Sequence, residues 1–254
     1  MRAANSSPFV LKMSAFAALS CKELAVIERL QRRRRVFVLG HDLVHQGQPE
    51  PPAYILLSGW ANSYKMQSDG GRQIVDIQVP GDFLGLHSVL LHRADHTVEP
   101  VVDIEVAEIK KEDLFEAFGR APRLAMAILW AVSRNEAMVA ERLVDLGRRT
   151  AVERMAHFLL ELGARLTLVG EGSATGYACP LTQYQLADAL GLSSVHANRV
   201  LRQLRMEKMT TFRDGYVTFD DRERLVGLAG FDPAYLDQDG PFPRQIQGND
   251  KDKS

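Results

Sequence analysis

The stretch Leu181 to Arg205, LTQYQLADALGLSSVHANRVLRQLR, constrains this chain most. Apolar residues fall at Leu186, Leu190, Leu192, Ala197 and Val200. A small residue, Ala187, stands where two helices would cross closely, and Gly191 stands in the turn between them. One helix with a single buried stripe, a turn residue that accepts positive φ, and a second helix with anchors three or four apart make a helix-turn-helix. Thr182 suits the N-cap of the first helix, and Ser193 or Ser194 that of the second. An ordinary αα-hairpin would need neither the small residue before the turn glycine nor the polar start of the second helix. The combination therefore favours a DNA-reading element over a bare hairpin.

Composition sets the surroundings of that element. The chain has 254 residues, 46% hydrophobic and 25% charged, enough for one to two domains with proper cores. No run approaches the roughly 18–20 apolar residues of a membrane span, and the N-terminus lacks the basic-then-apolar order of a secretory signal. Two distant cysteines, Cys21 and Cys179, fit a reducing cytoplasm and cannot supply a four-cysteine iron–sulfur site. Net charge is −1, unlike many nucleic-acid binders, but Arg199, Arg202, Arg205 and Lys208 concentrate positive charge with only Glu207 opposing.

Along the chain, residues 1–8 are polar and expected to be disordered. Phe9 to Leu19 and Ser20 to Gln31 read as helices, the second with a Ser20/Glu23 capping box. Arg32 to Arg35 read as a solvated helix end, with a phosphate or membrane contact as the alternative. From Val36 to Lys110 the runs VFVL, YILL, IVDIQV and VDIEVAEI alternate with Gly, Pro and Asp turns, a small sandwich or barrel. SDGGRQI (68–74) reads as a hairpin turn. Pro122 to Gly147 is a long helix in which Leu124, Ile128, Ala131, Asn135 and Met138 form a 4-3-4-3 seam, with Leu129, Val132, Leu143 and Leu146 beside it. Such a helix can serve its own β-domain and a partner helix, with Asn135 fixing register; burial wholly within one chain is the alternative. Arg148 to Leu168 is another amphipathic helix, Val169 to Pro180 a loop, Met209–Phe212 and Tyr216–Phe219 a two-stranded wing, and Arg222 to Gly230 a short helix. Asp237 to Ser254 is polar and expected to fray.

This order closely resembles the Crp/Fnr family of bacterial transcription regulators. PGDFLG (80–85) resembles its β-roll turn, IEVAEIKKEDL (104–114) the strand leading out of the roll, and Leu181 to Arg205 its DNA-binding signature. The resemblance implies an α+β fold: an N-terminal cyclic-nucleotide-binding-like jelly roll, a dimerisation helix and a C-terminal winged helix. The corresponding segments are residues 1–120, 121–147 and 148–236, with 237–254 a tail. It implies a homodimer on a near-palindromic operator, its half-sites about one helical turn, ~34 Å, apart. Double-stranded DNA, a second copy of the chain and RNA polymerase are the implied partners, with no membrane.

Departures from the family pattern narrow the chemistry. Members that bind cyclic AMP carry a glutamate where this chain has Leu86, and Arg-Ser where the matching stretch here is Ala94-Asp95-His96. A carboxylate beside a phosphodiester is repulsive, so cyclic AMP binding by that route is not expected. The iron–sulfur branch needs an N-terminal cysteine cluster, and only Cys21 is present. No cofactor is expected, and the effector is not legible. On the recognition helix, Ser194, Val195 and Arg199 stand where cyclic-AMP-binding members offer Arg, Glu and Arg. Arg199 can bind guanine bidentately, Asn198 can pair with adenine, and Val195 can touch a thymine methyl. His196 is a further candidate reader. Gln183 and Arg202 suit phosphate contacts that position the protein, and the caps Thr182 and Ser193 complete the candidate DNA-binding set.

Other chemistry-bearing residues have blander readings. Five of seven histidines (His41, His45, His87, His92 and His96) fall in the β-domain, and their spacing reads as scattered loop histidines, not a metal site. His157 reads as a structural histidine. Cys179 reads as a small buried or half-exposed thiol, with a redox switch as the alternative. No nucleophile–base, paired-carboxylate or phosphate-loop constellation stands out, so an enzyme is not expected. The rival reading is a ligand-binding regulatory module that acts on a protein partner.

Overall fold

The computed structural model describes residues 6–68 and 70–238. Helices α1 (Pro8–Phe16) and α2 (Cys21–Leu30) come first. The disorder expected for residues 1–8 does not extend to Ser7 and Pro8: Ser7 caps α1 by accepting from the N–H of Val10, and Pro8 opens the helix. Residues 1–5 lie outside the described residues. The Ser20/Glu23 capping box forms as expected.

Strands β1 (Arg34–Phe37), β2 (Ala53–Ser58), β3 (Ala61–Met66), β4 (Arg72–Gln78) and β5 (Phe83–Leu84), the short α3 (Ser88–Leu91), then β6 (Thr97–Pro100) and β7 (Ile104–Ile109) build the roll. One sheet runs β1-β7-β2-β5 and the other β4-β3-β6, all antiparallel. Strand β2 is buried on both faces, which is why YILL lacks polar alternation. Tyr54 and Leu56 point into the roll with Val98, Ile104 and Val106. Ala53, Ile55 and Leu57 point the other way, into a second core with Phe9, Met13 and Ile27. The arginine run is not a helix end. Arg34 and Arg35 open β1 and pair with Glu105 and Glu108 of β7, while Arg33 reaches Asp113.

A helix not anticipated from periodicity, α4 (Lys111–Arg120), leads into α5 (Pro122–Arg148). The seam expected to meet a partner helix is instead the intrachain face of α5. Leu124, Ile128 and Ala131 lie in the core shared with α1 and the roll, and Met138 lies in the core below. Of the five seam residues only Asn135 is exposed. The apolar stripe left in solvent is Leu129, Val132, Val139, Leu143 and Leu146, flanked by Met126 and Val144. The reason is that α1 and α4 cover the face whose small residues, Ala127 and Ala131, allow close approach.

After two residues α6 begins (Ala151–Leu168), capped by a Thr150/Glu153 box, with Met155, Phe158, Leu159, Leu162 and Leu166 buried. The expected loop 169–180 contains a hairpin, β8 (Gly172–Ser173) and β9 (Gly176–Ala178). It joins β10 (Thr210–Arg213) and β11 (Tyr216–Phe219), so the wing sheet has four strands, β10-β11-β9-β8. Between them lie α7 (Gln183–Leu190) and α8 (Ser194–Met206), and after them α9 (Arg222–Ala229) and a 3₁₀ turn (Pro233–Leu236). The fraying expected from residue 237 does not hold for its first two residues. Asp237 accepts from the indole N–H of Trp130 at 2.7 Å, and Gln238 donates to the Ala164 carbonyl at 2.7 Å. Residues 239–254 lie outside the described residues.

The two halves share a core. Trp60, Ile74, Ile77, Val79 and Val101 of the roll belong to the same buried cluster as the α6, α7 and α8 anchors. Ion pairs reinforce that junction. Arg165 of α6 donates to Asp82 at 2.7 Å and to the Ile77 carbonyl at 2.8 Å. Arg142 of α5 pairs with Asp76 at 2.8 Å.

Candidate nucleic-acid interface

The interface begins at the cap of α7. Thr182 accepts from the N–H of Gln185 at 3.2 Å, and its own N–H donates to the Gln185 side chain at 2.9 Å. This reciprocal box satisfies donors that the helix start leaves open. The helix ends at Gly191, at φ 61° in the left-handed region that favours glycine. A Cβ at Gly191 would meet Leu146 at 3.2 Å, so the turn packs close under the end of α5. Ser193 then caps α8 by accepting from the His196 N–H at 3.2 Å. Leu186, Ala187, Leu190, Ala197, Val200, Leu201 and Leu204 are buried and hold the two helices together.

With that face committed, the opposite stripe of α8 is open. Val195, Asn198, Arg199 and Arg202 follow at intervals of three, one and three and share a face. Together with Gln183, Tyr184 and Ser194 they line an open groove of about 470 Å³. Val195 is 75% exposed, so its methyl groups face outward with no partner in the fold. Asn198 donates to the Gln183 side chain at 2.8 Å, tying the reading helix to the start of α7.

The groove sorts the candidate residues. Gln183, Ser194, Val195, Asn198, Arg199 and Arg202 come together in it. His196 does not: it is half-buried, one residue round from Val195, and outside the groove lining. The hydroxyls of Thr182 and Ser193 are engaged as caps. Tyr184 was missed. It is 72% exposed in the groove, and an exposed aromatic three residues before the buried Ala187 is the sequence signal that could have found it. On the wing, Asp214 and Gly215 take positive φ of 51° and 72°, the primed turn that matches strand twist. The turn leaves Arg213 and Asp214 in solvent.

The reader is fastened to the roll. Arg72 of β4 donates to the Asp188 carboxylate of α7 at 2.7 Å, and Gln73 donates to the Asp188 carbonyl at 2.6 Å. Arg72 also holds Glu99 at 2.8 Å and lies over the Tyr64 ring. Burial opposes the Arg72 charge, but Asp188 and Glu99 outweigh it and the guanidinium pKa is raised. Cys179 is buried beside the helix-turn-helix, and burial pushes its thiol pKa up to about 12. A thiol held that far from thiolate is a poor redox switch. His157 packs between Phe231 and Tyr235, as a structural histidine does. Between roll and α5 lies a cavity of about 430 Å³, lined among others by Leu86, Lys12, Arg134 and Met138.

Comparison with known proteins gives this arrangement a lineage. Residues 34–121 match the cyclic nucleotide-binding domain family, and residues 153–228 match the Crp-like helix-turn-helix domain. The chain is 33% identical to the nitrogen fixation regulation protein FixK of Azorhizobium caulinodans over 66% of its length and 67% of that protein. It is 29% identical to FixK of Bradyrhizobium diazoefficiens, over 84% of this chain and 88% of the relative. The solved structure of FixK2 from Bradyrhizobium japonicum superposes with a TM-score of 0.70 at 28% identity, covering 78% of this chain and 98% of that one. The chain belongs to the Crp/Fnr family, a cyclic-nucleotide-binding-type roll joined to a helix-turn-helix, and is a DNA-binding transcription regulator.

Proposed function

We propose that two copies pair through the exposed α5 stripe and read a near-palindromic operator with two α8 helices. The groove carries this reading: Val195, Asn198, Arg199 and Arg202 share one outward stripe of α8 in its lining, and only Asn198 among them is engaged in the fold, by Gln183. Arg199 suits a guanine edge and Val195 a thymine methyl. Asn198 reaches adenine only by releasing Gln183. Arg202 and Gln183, also in the groove lining, suit phosphate contacts. On α5, Leu129, Val132, Val139, Leu143 and Leu146 repeat at near-heptad spacing, and this favours a second α5 as the partner of that stripe.

The roll is proposed to answer a signal other than cyclic AMP. Asp95 places a carboxylate where the cyclic phosphate would need a cation, and Leu86 offers nothing to a ribose hydroxyl. Calorimetry with cyclic AMP should give no saturable heat.

Selection of preferred sites from random DNA, followed by mobility shifts, tests the proposal. The expected outcome is a two-fold-symmetric site with half-sites ~34 Å apart. Arg199→Ala should cost ~1–3 kcal/mol and relax choice at one guanine per half-site. Recovery of no preferred sequence would sink the proposal. A uniform loss across all base variants would make Arg199 a phosphate contact.

A further inference from the structure

The roll gathers two of its histidines around one carboxylate, which linear spacing did not reveal. Nε2 of His87 lies 2.6 Å from Oδ1 of Asp95. Nδ1 of His96 lies 2.8 Å from the same oxygen. The two rings stand 4.9 Å apart between centres, and one ligand atom from each residue lies within 4.8 Å of the others. On the far side, Lys65 Nζ sits 3.3 Å from Asp95 Oδ2.

Two imidazole nitrogens directed at one carboxylate oxygen are satisfied only if each carries a proton there. Without those protons, lone pairs face an anion. A divalent cation takes the place of both protons and satisfies all three groups together. The geometry points to a metal site: His87 Nε2, His96 Nδ1 and Asp95 Oδ1 bind a divalent first-row transition ion, Zn²⁺ in the first instance. Two nitrogens and one oxygen suit Zn²⁺, Co²⁺ or Ni²⁺ and not the all-oxygen preference of Mg²⁺ or Ca²⁺. Bonds of ~2.0–2.2 Å set neighbouring donors roughly 3.3 Å apart in a tetrahedron. The two N···O contacts therefore open by roughly half an ångström and the two imidazole nitrogens, now within 4.8 Å, close toward the same spacing, movements that fall to the exposed His87 side chain. Lys65 keeps its contact with Oδ2 and fixes the carboxylate from outside, as partners of metal ligands do. Three protein ligands leave at least one coordination position open. The cluster lies in the wall of the 430 Å³ cavity that Asn135 and Met138 of α5 also line. The site stands on its own geometry and does not depend on operator reading.

The test uses the untagged full chain, stripped of metal with chelator, then titrated with Co²⁺ under visible spectroscopy and with Zn²⁺ by calorimetry. The expected result is one ion per chain with ligand-field bands of a low-coordinate site. His87→Ala should weaken binding by more than the ~10–100-fold that loss of an outer partner costs, while His41→Ala binds as the parent does. His96 is only 11% exposed and its loss can disturb folding, so His87→Ala is the deciding variant. As a second readout, Zn²⁺ should raise the melting temperature of the parent and not of His87→Ala. Absence of stoichiometric binding, or a loss in His87→Ala no larger than the ~100-fold that an outer partner can cost, overturns the site.

Discussion

Asp82 shows how much of this molecule rests on single side chains. It sits in the PGDFLG turn, buried, and accepts from Lys12 at 2.5 Å, Arg165 at 2.7 Å and the Val79 N–H at 2.8 Å. Burial alone would raise its pKa. Lys12 and Arg165 outweigh burial and hold the carboxyl well below the usual carboxylate range. A depressed folded pKa means the ionised form is favoured by folding. Its contribution is complete above the unfolded value, ~3.9, and is lost as pH falls through the depressed value. Asp82→Asn leaves two cations buried without their anion and should cost ~3–5 kcal/mol in urea unfolding near neutral pH. Below pH ~4, the gap between parent and variant should narrow. A gap that stays constant through the acid limb would show that Asp82 acts by packing alone. The turn itself was legible in PGDFLG. The charges that give its aspartate a role were not, because they come from α1 and α6, 70 and 83 residues away in sequence.

At the scale of the element, α5 shows where periodicity runs out. Apolar residues on more than one face were plain in the sequence, and both stripes were visible. Which stripe meets α1 and α4 and which is left over depends on what packs there, and a helical wheel carries no such information. Small residues beside the buried stripe, Ala127 and Ala131, were the available clue. Leu143 is 67% exposed at the centre of the far half of the solvent stripe. Leu143→Asp should therefore give a monomer by light scattering, with the melting temperature of the protomer little changed. Leu124→Ala, from the intrachain stripe, should do the reverse, costing ~2–5 kcal/mol with assembly intact. An unaltered oligomeric state in Leu143→Asp would refute the pairing assigned to α5. Helix α7 lies at the other extreme. Its cap, its turn glycine and its anchors are all local, so nearly all of it could be read in advance; His196 falls outside the groove lining because a single residue, about 100° on α8, separates it from Val195.

For the molecule as a whole, element order was the strongest sequence signal: roll, long helix, reader, wing. Contacts between distant segments were the weakest. Nothing in the sequence paired Arg72 with Asp188, or joined β8 and β9 to the wing. That first pairing fastens α7, and α8 packed on it, to the roll. Asp188 is gripped through both its carboxylate and its backbone by adjacent residues of β4, and the cores of the two halves are continuous. The recognition helix is thus ordered before any DNA arrives, and the entropy of ordering it is part of folding, not of association. In calorimetric terms, the heat-capacity change on operator binding should correspond to the interface alone. It should lack the increment that coupled folding of a thousand or more square ångströms adds. Titrations at several temperatures would measure it, and a much larger negative value would mean the reader is released from the roll and refolds on DNA.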